Sequence, residues 1–187
     1  MVDNRIIIYT ANDGKTRIDV KLEEETLWLT QAQMCELYQT SKSNVSGDVV
    51  FDNAVIMGSA NFSKAKFRKD ASFNNIMVWA KDSYFSEVEA EGTMNMIYAT
   101  FNGNLYMRDA VFQQAVSFQG MTVQGMFAAS GMKCSKMAEF DMLTVGQRAN
   151  FNYSSFAQQP TFNQARFHDD AEFVGDTINN MNEVFEK

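Results

Sequence analysis

The stretch PTFNQARFHDDAEF, residues 160–173, decides how this chain is read. Its phenylalanines stand at 162, 167 and 173, so the steps are five and then six. Ala165 and Ala171 stand two residues before the last two. A helix repeats every 3.6 residues and a strand every two, so neither alone explains this spacing. A short extended side does. Two inward residues flank one outward residue, a corner follows, and the pattern restarts. Four such sides close a coil of about 22 residues, which stacks on the next at strand spacing, about 4.8 Å.

Stepping back by eleven from Phe173 gives Phe162, Phe151, Phe140, Ala129, Phe118, Met107, Met96 and Phe85. The offset series is Ile178, Phe167, Phe156, Val145, Cys134, Val123, Phe112, Phe101, Ala90 and Trp79, and every member of both series is apolar. Residues two places earlier, such as Ala149, Leu143, Met132, Val116, Leu105, Val88 and Met77, are mostly small or aliphatic; Ser154, Pro160 and Asp176 depart from this. Phe51, Ile56, Phe62, Phe67 and Phe73 continue the rhythm toward the N-terminus, with alanines at 54, 60, 65 and 71. The frame slips by one between Phe73 and Trp79, which predicts a one-residue bulge around Asn74 and Asn75. Seven glycines (Gly58, Gly92, Gly103, Gly120, Gly125, Gly131 and Gly175) fall two residues after an inward centre, which predicts corners with positive φ.

These motifs, FSKAKFRKDASF, NFNYSSF and PTFNQARFHDDAEF, resemble the A-x-F-rich pentapeptide-repeat proteins in the variant that alternates five and six. The resemblance spans about residues 48–178. It implies a mainly β chain whose residues 47–178 form a right-handed quadrilateral β-helix of about six coils, a rod roughly 30 Å long. The phenylalanines at 51, 62, 67, 73, 85, 101, 112, 118, 140, 151, 156, 162, 167 and 173 form its core. The repeat is a packing rule for the inside and leaves the outside free, so it carries fold rather than function.

Residues 1–46 lack the rhythm. RIIIYTANDGKTRIDVKL reads as a β-hairpin turning at Asn12-Asp13-Gly14. LWLTQAQMCELY reads as a strand end and a helix with Thr30 as N-cap, and QTSKSNVS as a turn into a second short helix. The segment LWLTQAQMCELYQTSKSNVS resembles the start of the virulence-associated RhuM proteins of bacteria. That resemblance implies a helix-turn-helix-like DNA-binding unit over residues 30–46, with Lys42, Ser43 and Asn44 placed to contact DNA. The competing expectation is that the module caps the first coil. Residues 179–187 are expected to cap the other end, or to join two chains end to end into a homodimer, through Met181, Val184 and Phe185.

The chain carries 23 acids against 16 bases, a formal net charge of −7, which argues against a broad basic nucleic-acid footprint. Cys35 and Cys134 are far apart, consistent with free thiols. His168 is the only histidine and stands beside Asp169 and Asp170; a solvated corner is the expected role. No cofactor, metal or catalytic constellation emerges, and no membrane span. The reading is a non-enzymatic, cytoplasmic, bacterial protein that binds an unidentified protein partner on a rigid rod. The alternatives are a DNA-binding regulator acting through residues 30–46 and an acidic DNA mimic acting on a topoisomerase such as gyrase. For the mimic, acids should stack at one-coil spacing, as Glu87 with Asp109 and Asp48 with Asp70 do.

Overall fold

A computed structural model describes residues 5–10, 17–23, 26–28, 44–45 and 47–178. Residues 44–45 and 47–178 form a β-solenoid of about six coils, made of strands mostly two residues long. They stack into four parallel sheets, one per side. The first side runs through Asn44–Val45, Lys66–Phe67, Glu89–Ala90, Val111–Phe112, Lys133–Cys134, Ser155–Phe156 and Thr177–Ile178. Register is 22 residues in most pairs, as in Val111↔Lys133 and Phe112↔Cys134. Within each pair one residue points in and the other out, so one apolar residue per strand builds the column.

The extra residue lies later than the sequence rhythm predicts. Val55↔Met77 and Ile56↔Val78 keep the 22-residue register, whereas Asn61↔Tyr84 is offset by 23. The insertion therefore falls between Val78 and Tyr84, not at Asn74 and Asn75. Val78 and Ile76 are the buried pair, while Trp79 is 53% exposed and Met77 is also exposed. The eleven-residue count instead predicts Trp79 inward, with Met77 as its inward neighbour two residues earlier. The physical reason is that Val78 and Trp79 are both apolar, so hydropathy alone cannot fix which one takes the inward place.

Stacked phenylalanines line the axis. Phe118, Phe140 and Phe162 stack nearly parallel at centroid distances of 5.0 and 4.7 Å, and Phe151 stacks on Phe173 at 4.9 Å. Phe67, Phe73, Phe85, Phe101, Phe112, Phe118, Phe140, Phe151 and Phe156 are fully buried, and Phe62 nearly so. Phe51, Phe162, Phe167 and Phe173, toward the two ends, are partly buried and pack on the same core. Where Ala129 replaces a phenylalanine, Phe127 two residues earlier is fully buried and meets Phe118 and Phe151 edge-on. Large and small exchange places, which conserves core volume.

The two corners of each half-coil differ. After Phe51, Phe62, Phe73, Phe85 and their successors, the second residue has positive φ. It is a non-glycine at Asn53, Lys64, Asn75, Glu87, Tyr98, Asp109, Met142, Tyr153 and Gln164, and a glycine at Gly120, Gly131 and Gly175. Many of these turns close with an N–H donated back three residues, as from Met121 to the Phe118 carbonyl at 3.0 Å. Positive φ at the third residue with this bond is the signature of a type II turn. It also aims that residue's N–H along the axis, as from Tyr98 to the Gln119 carbonyl at 2.8 Å, so the inter-coil ladder continues through the corner.

The other corner uses no positive φ. Gly92, Gly103 and Gly125 stand there because stacked backbones approach closely: a Cβ on Gly103 would lie 2.0 Å from the Lys81 carbonyl oxygen. Of the seven glycines expected at positive φ, three have it. Gly58, Gly92, Gly103 and Gly125 do not.

The N-terminal strands β1 (Arg5–Thr10), β2 (Arg17–Glu23) and β3 (Thr26–Trp28) form an antiparallel sheet in the order β1-β2-β3. Strands β1 and β2 pair antiparallel, Ile7 opposite Val20, while the Asn12-Asp13-Gly14 turn that the sequence reading puts between them lies outside the described residues. The helix starting at Thr30 also lies outside them. The second helix fails at its described end. Asn44 and Val45 are extended and pair in parallel with Lys66 and Phe67. Val45 stands 22 residues before Phe67, so the repeat itself claims this position. Among the described residues there is no helix.

Candidate interaction surface

With the apolar column inside, any partner must read the outward positions, which the coil stacks into columns. On the first side Lys66 Nζ donates to Glu89 at 2.7 Å and lies 3.3 Å from Glu91, while Lys64 meets Glu87 at 3.6 Å. The bond to Glu89 holds the Lys66 ammonium above the usual lysine range. The alternating acids of this region thus face bases one coil below. As exposed pairs they contribute little stability, and their main effect is to fix side-chain positions.

A second set of polar side chains bonds the backbone of the next coil. Asp52, Asn74 and Asp141 accept from the N–H groups of Asn74, Ile97 and Asn163 at 2.8–2.9 Å. Asp70 accepts from Thr93 N–H at 2.8 Å, and that bond lowers its pKa. Tyr84 and Tyr106 stack in consecutive coils at 5.3 Å, and the Arg108 guanidinium lies 5.3 Å from the centre of the Tyr106 ring. These contacts tie Asp52, Asp70, Asn74, Asp141, Tyr84 and Tyr106 into columns along the outside of the coil.

The described register stacks Asp48 on Asp70 and Glu87 on Asp109, as the spacing requires. The acid columns stop there. Asp70 is followed by Thr93, and Asp109 by Gly131. Between Gly92 and Met132 the sequence has only two charged residues, Arg108 and Asp109. Apart from that pair, the middle of the rod presents mainly Asn, Gln, Ser, Thr and Tyr.

The remaining surface feature is apolar. On the third side, which runs through Val55–Ile56, Met77–Val78, Thr100–Phe101, Thr122–Val123, Thr144–Val145 and Arg166–Phe167, Val55 is half-buried, Met57 is 54% exposed, and Met77 and Trp79 are exposed. They occupy the two outward columns of its first two coils. In later coils the same columns hold Thr100, Thr122 and Thr144, and Asn102, Gln124 and Gly146. The sequence count hides this patch because it puts Met77 and Trp79 inward. The available signal was that Ile76 and Val78 also form an apolar pair at the required spacing.

His168 is exposed beside exposed Asp169 and Asp170, and among the described residues no cluster of three His, Cys, Asp or Glu could hold a metal. Cys134 is buried in the column, and burial pushes its thiol up to about 12, so it is no nucleophile at neutral pH. Asn44 lies in the first strand of the first side. Lys42, Ser43, Cys35, Met181, Val184 and Phe185 lie outside the described residues. No described helix is long and apolar enough to cross a membrane. Comparisons with family models, with curated proteins and with solved structures each find no match.

Proposed function

We propose that this chain is a non-enzymatic macromolecule-binding protein that presents the outer columns of a rigid β-helix to a protein partner. The finer reading is a right-handed, four-sided pentapeptide-repeat helix, carried by the A-x-F rhythm, joined to a RhuM-like N-terminal segment. The observation that supports binding over catalysis is the fixed exterior. Asp52, Asp70, Asn74 and Asp141 are tied to the coil above them, so the surface is preordered and a partner meets little entropic cost on docking.

Affinity capture from a bacterial lysate, with and without nuclease, tests this. A nuclease-resistant protein partner is expected, lost on charge reversal of an outward column. Recovery of nuclease-sensitive DNA alone would overturn it in favour of the DNA-binding regulator. Recovered gyrase, with altered supercoiling on adding the protein, would point to the mimic. The short, interrupted acid columns weigh against that reading.

A further inference from the structure

We propose that Asn102-Gly103 is a site of spontaneous deamidation in the folded chain. It is the only Asn-Gly pair in the sequence, and it stands at the corner that follows the strand Thr100–Phe101. Asn102 occupies an outward position and is half-buried. Its side-chain amide makes no hydrogen bond among the described residues. By contrast, the side chains of Asn74, Asn104 and Asn150 are each bonded to a neighbouring coil. The Asn102 carboxamide is therefore free to turn toward the peptide nitrogen that follows it.

That nitrogen is free as well. In the next two coils the matching N–H groups continue the ladder: Gly125 donates to the Gly103 carbonyl at 3.1 Å, and Gln147 to the Gly125 carbonyl at 3.2 Å. The corner facing Gly103 in the previous coil is one residue longer. Phe101 pairs with Val78, 23 residues away, whereas Asn104 pairs with Asp82, 22 away. Asn104 N–H takes the Lys81 carbonyl at 2.7 Å, and the Gly103 N–H donates to no group among the described residues. It can lose its proton to hydroxide without breaking a ladder bond. The nitrogen then attacks Asn102 Cγ, the new C–N bond closes a succinimide ring, and Nδ2 leaves as ammonia. Glycine suits this step because no Cβ obstructs ring closure. Water opens the ring at either carbonyl and leaves aspartate or isoaspartate, so one water enters and one ammonia departs, with no oxidation. The product puts a carboxylate on a stretch whose only charges between Gly92 and Met132 are Arg108 and Asp109.

Two measurements on the full-length, folded chain test this. Peptide mapping after incubation in mildly alkaline buffer should find aspartate and isoaspartate at position 102 and not at Asn104 or Asn150. Asn102→Gln should lose the modified peptide, because glutamine must close a larger ring. Amide exchange followed by NMR should show the Gly103 amide exchanging about tenfold faster than those of Gly125 and Gln147, which the ladder protects. Modification of Asn102 only when the chain is unfolded in urea would overturn the proposal, since the fold would then protect the site. So would a Gly103 amide that exchanges as slowly as Gly125, or a product that persists in Asn102→Gln.

Discussion

The two corners of each half-coil solve one problem, turning the chain without breaking the inter-coil ladder, by different means. The five-residue corner bends through a positive φ that nine non-glycine residues accept. The six-residue corner keeps ordinary φ but brings backbones so close that glycine is needed for space at Gly92, Gly103 and Gly125. A glycine in this chain therefore carries two distinct meanings, and its distance from an inward centre does not tell them apart.

Substitution separates the two. Gly103→Ala should have the largest effect, because its Cβ would press on the backbone carbonyl of Lys81, which cannot swing away. A loss of about 3 kcal/mol in chemical denaturation is expected. Gly58 also stands two residues after a centre, yet a Cβ there meets nothing within 4 Å; Gly58→Ala should stay within about 0.5 kcal/mol of wild type. Equal effects at the two sites would remove close approach as the explanation.

Gly120→Ala comes next. Its φ is +64°, and its Cβ would meet the Tyr98 ring, which can rotate outward. The remaining cost is the left-handed backbone, about 1–2 kcal/mol, measured by the same unfolding curve. A loss as large as that at Gly103 would mean that the tyrosine, not the φ, sets the limit.

These corners also show why part of the fold was legible in the sequence and part was not. The inward series could be counted because one apolar residue per strand must repeat at the coil period. Phe140, Phe151 and Phe162 fall where that count puts them. The count fails where hydropathy is degenerate. Val78 and Trp79 are both apolar, so the apolar count puts the insertion before Val78 rather than between Val78 and Tyr84, and it hides the Trp79 patch. Phe127 escaped because it occupies a position that other coils fill with Ala149, Leu105 or Ala60. The outer columns were illegible for another reason. Asp52 and Asn74 serve the backbone of the next coil, a role that many polar residues fill equally well.

The residue that leaves the five-residue corner tests the comparison from inside. It is apolar in most coils, as at Ala54, Ala65, Val88, Ala99 and Leu143, but it is Asp176 in the last described one. Burial raises the Asp176 carboxyl pKa, against the lowering effect of the Ser154 N–H bonded at 2.9 Å, and its Oδ2 has no partner. The folded value lies above the unfolded one, about 3.9. The stabilising contribution is thus fully present below that value and is lost as pH rises through the folded pKa. Asp176→Asn keeps an acceptor for Ser154 without the charge. Its melting temperature should exceed wild type at pH 7, and the gap should close as pH falls to 4. A gap that is constant with pH would mean the charge is not the destabilising element.

A small effect of the opposite sign is expected where the five-residue corner already tolerates a side chain. Gln164 has φ 58° and is exposed. Gln164→Gly removes the left-handed strain of a non-glycine residue, about 1–2 kcal/mol. It also frees the unfolded chain, which returns about 0.5–1 kcal/mol of that gain. A net stabilisation of about 0.5–1 kcal/mol should remain, seen as a small rise in the denaturation midpoint with an unchanged slope. Glycine helping at Gln164 while alanine harms at Gly120 would show one conformational requirement at both positions. A loss of stability at Gln164 would instead mean that its side chain contributes more than the strain costs. Non-glycine residues at these corners would then be kept for their side chains rather than tolerated despite them.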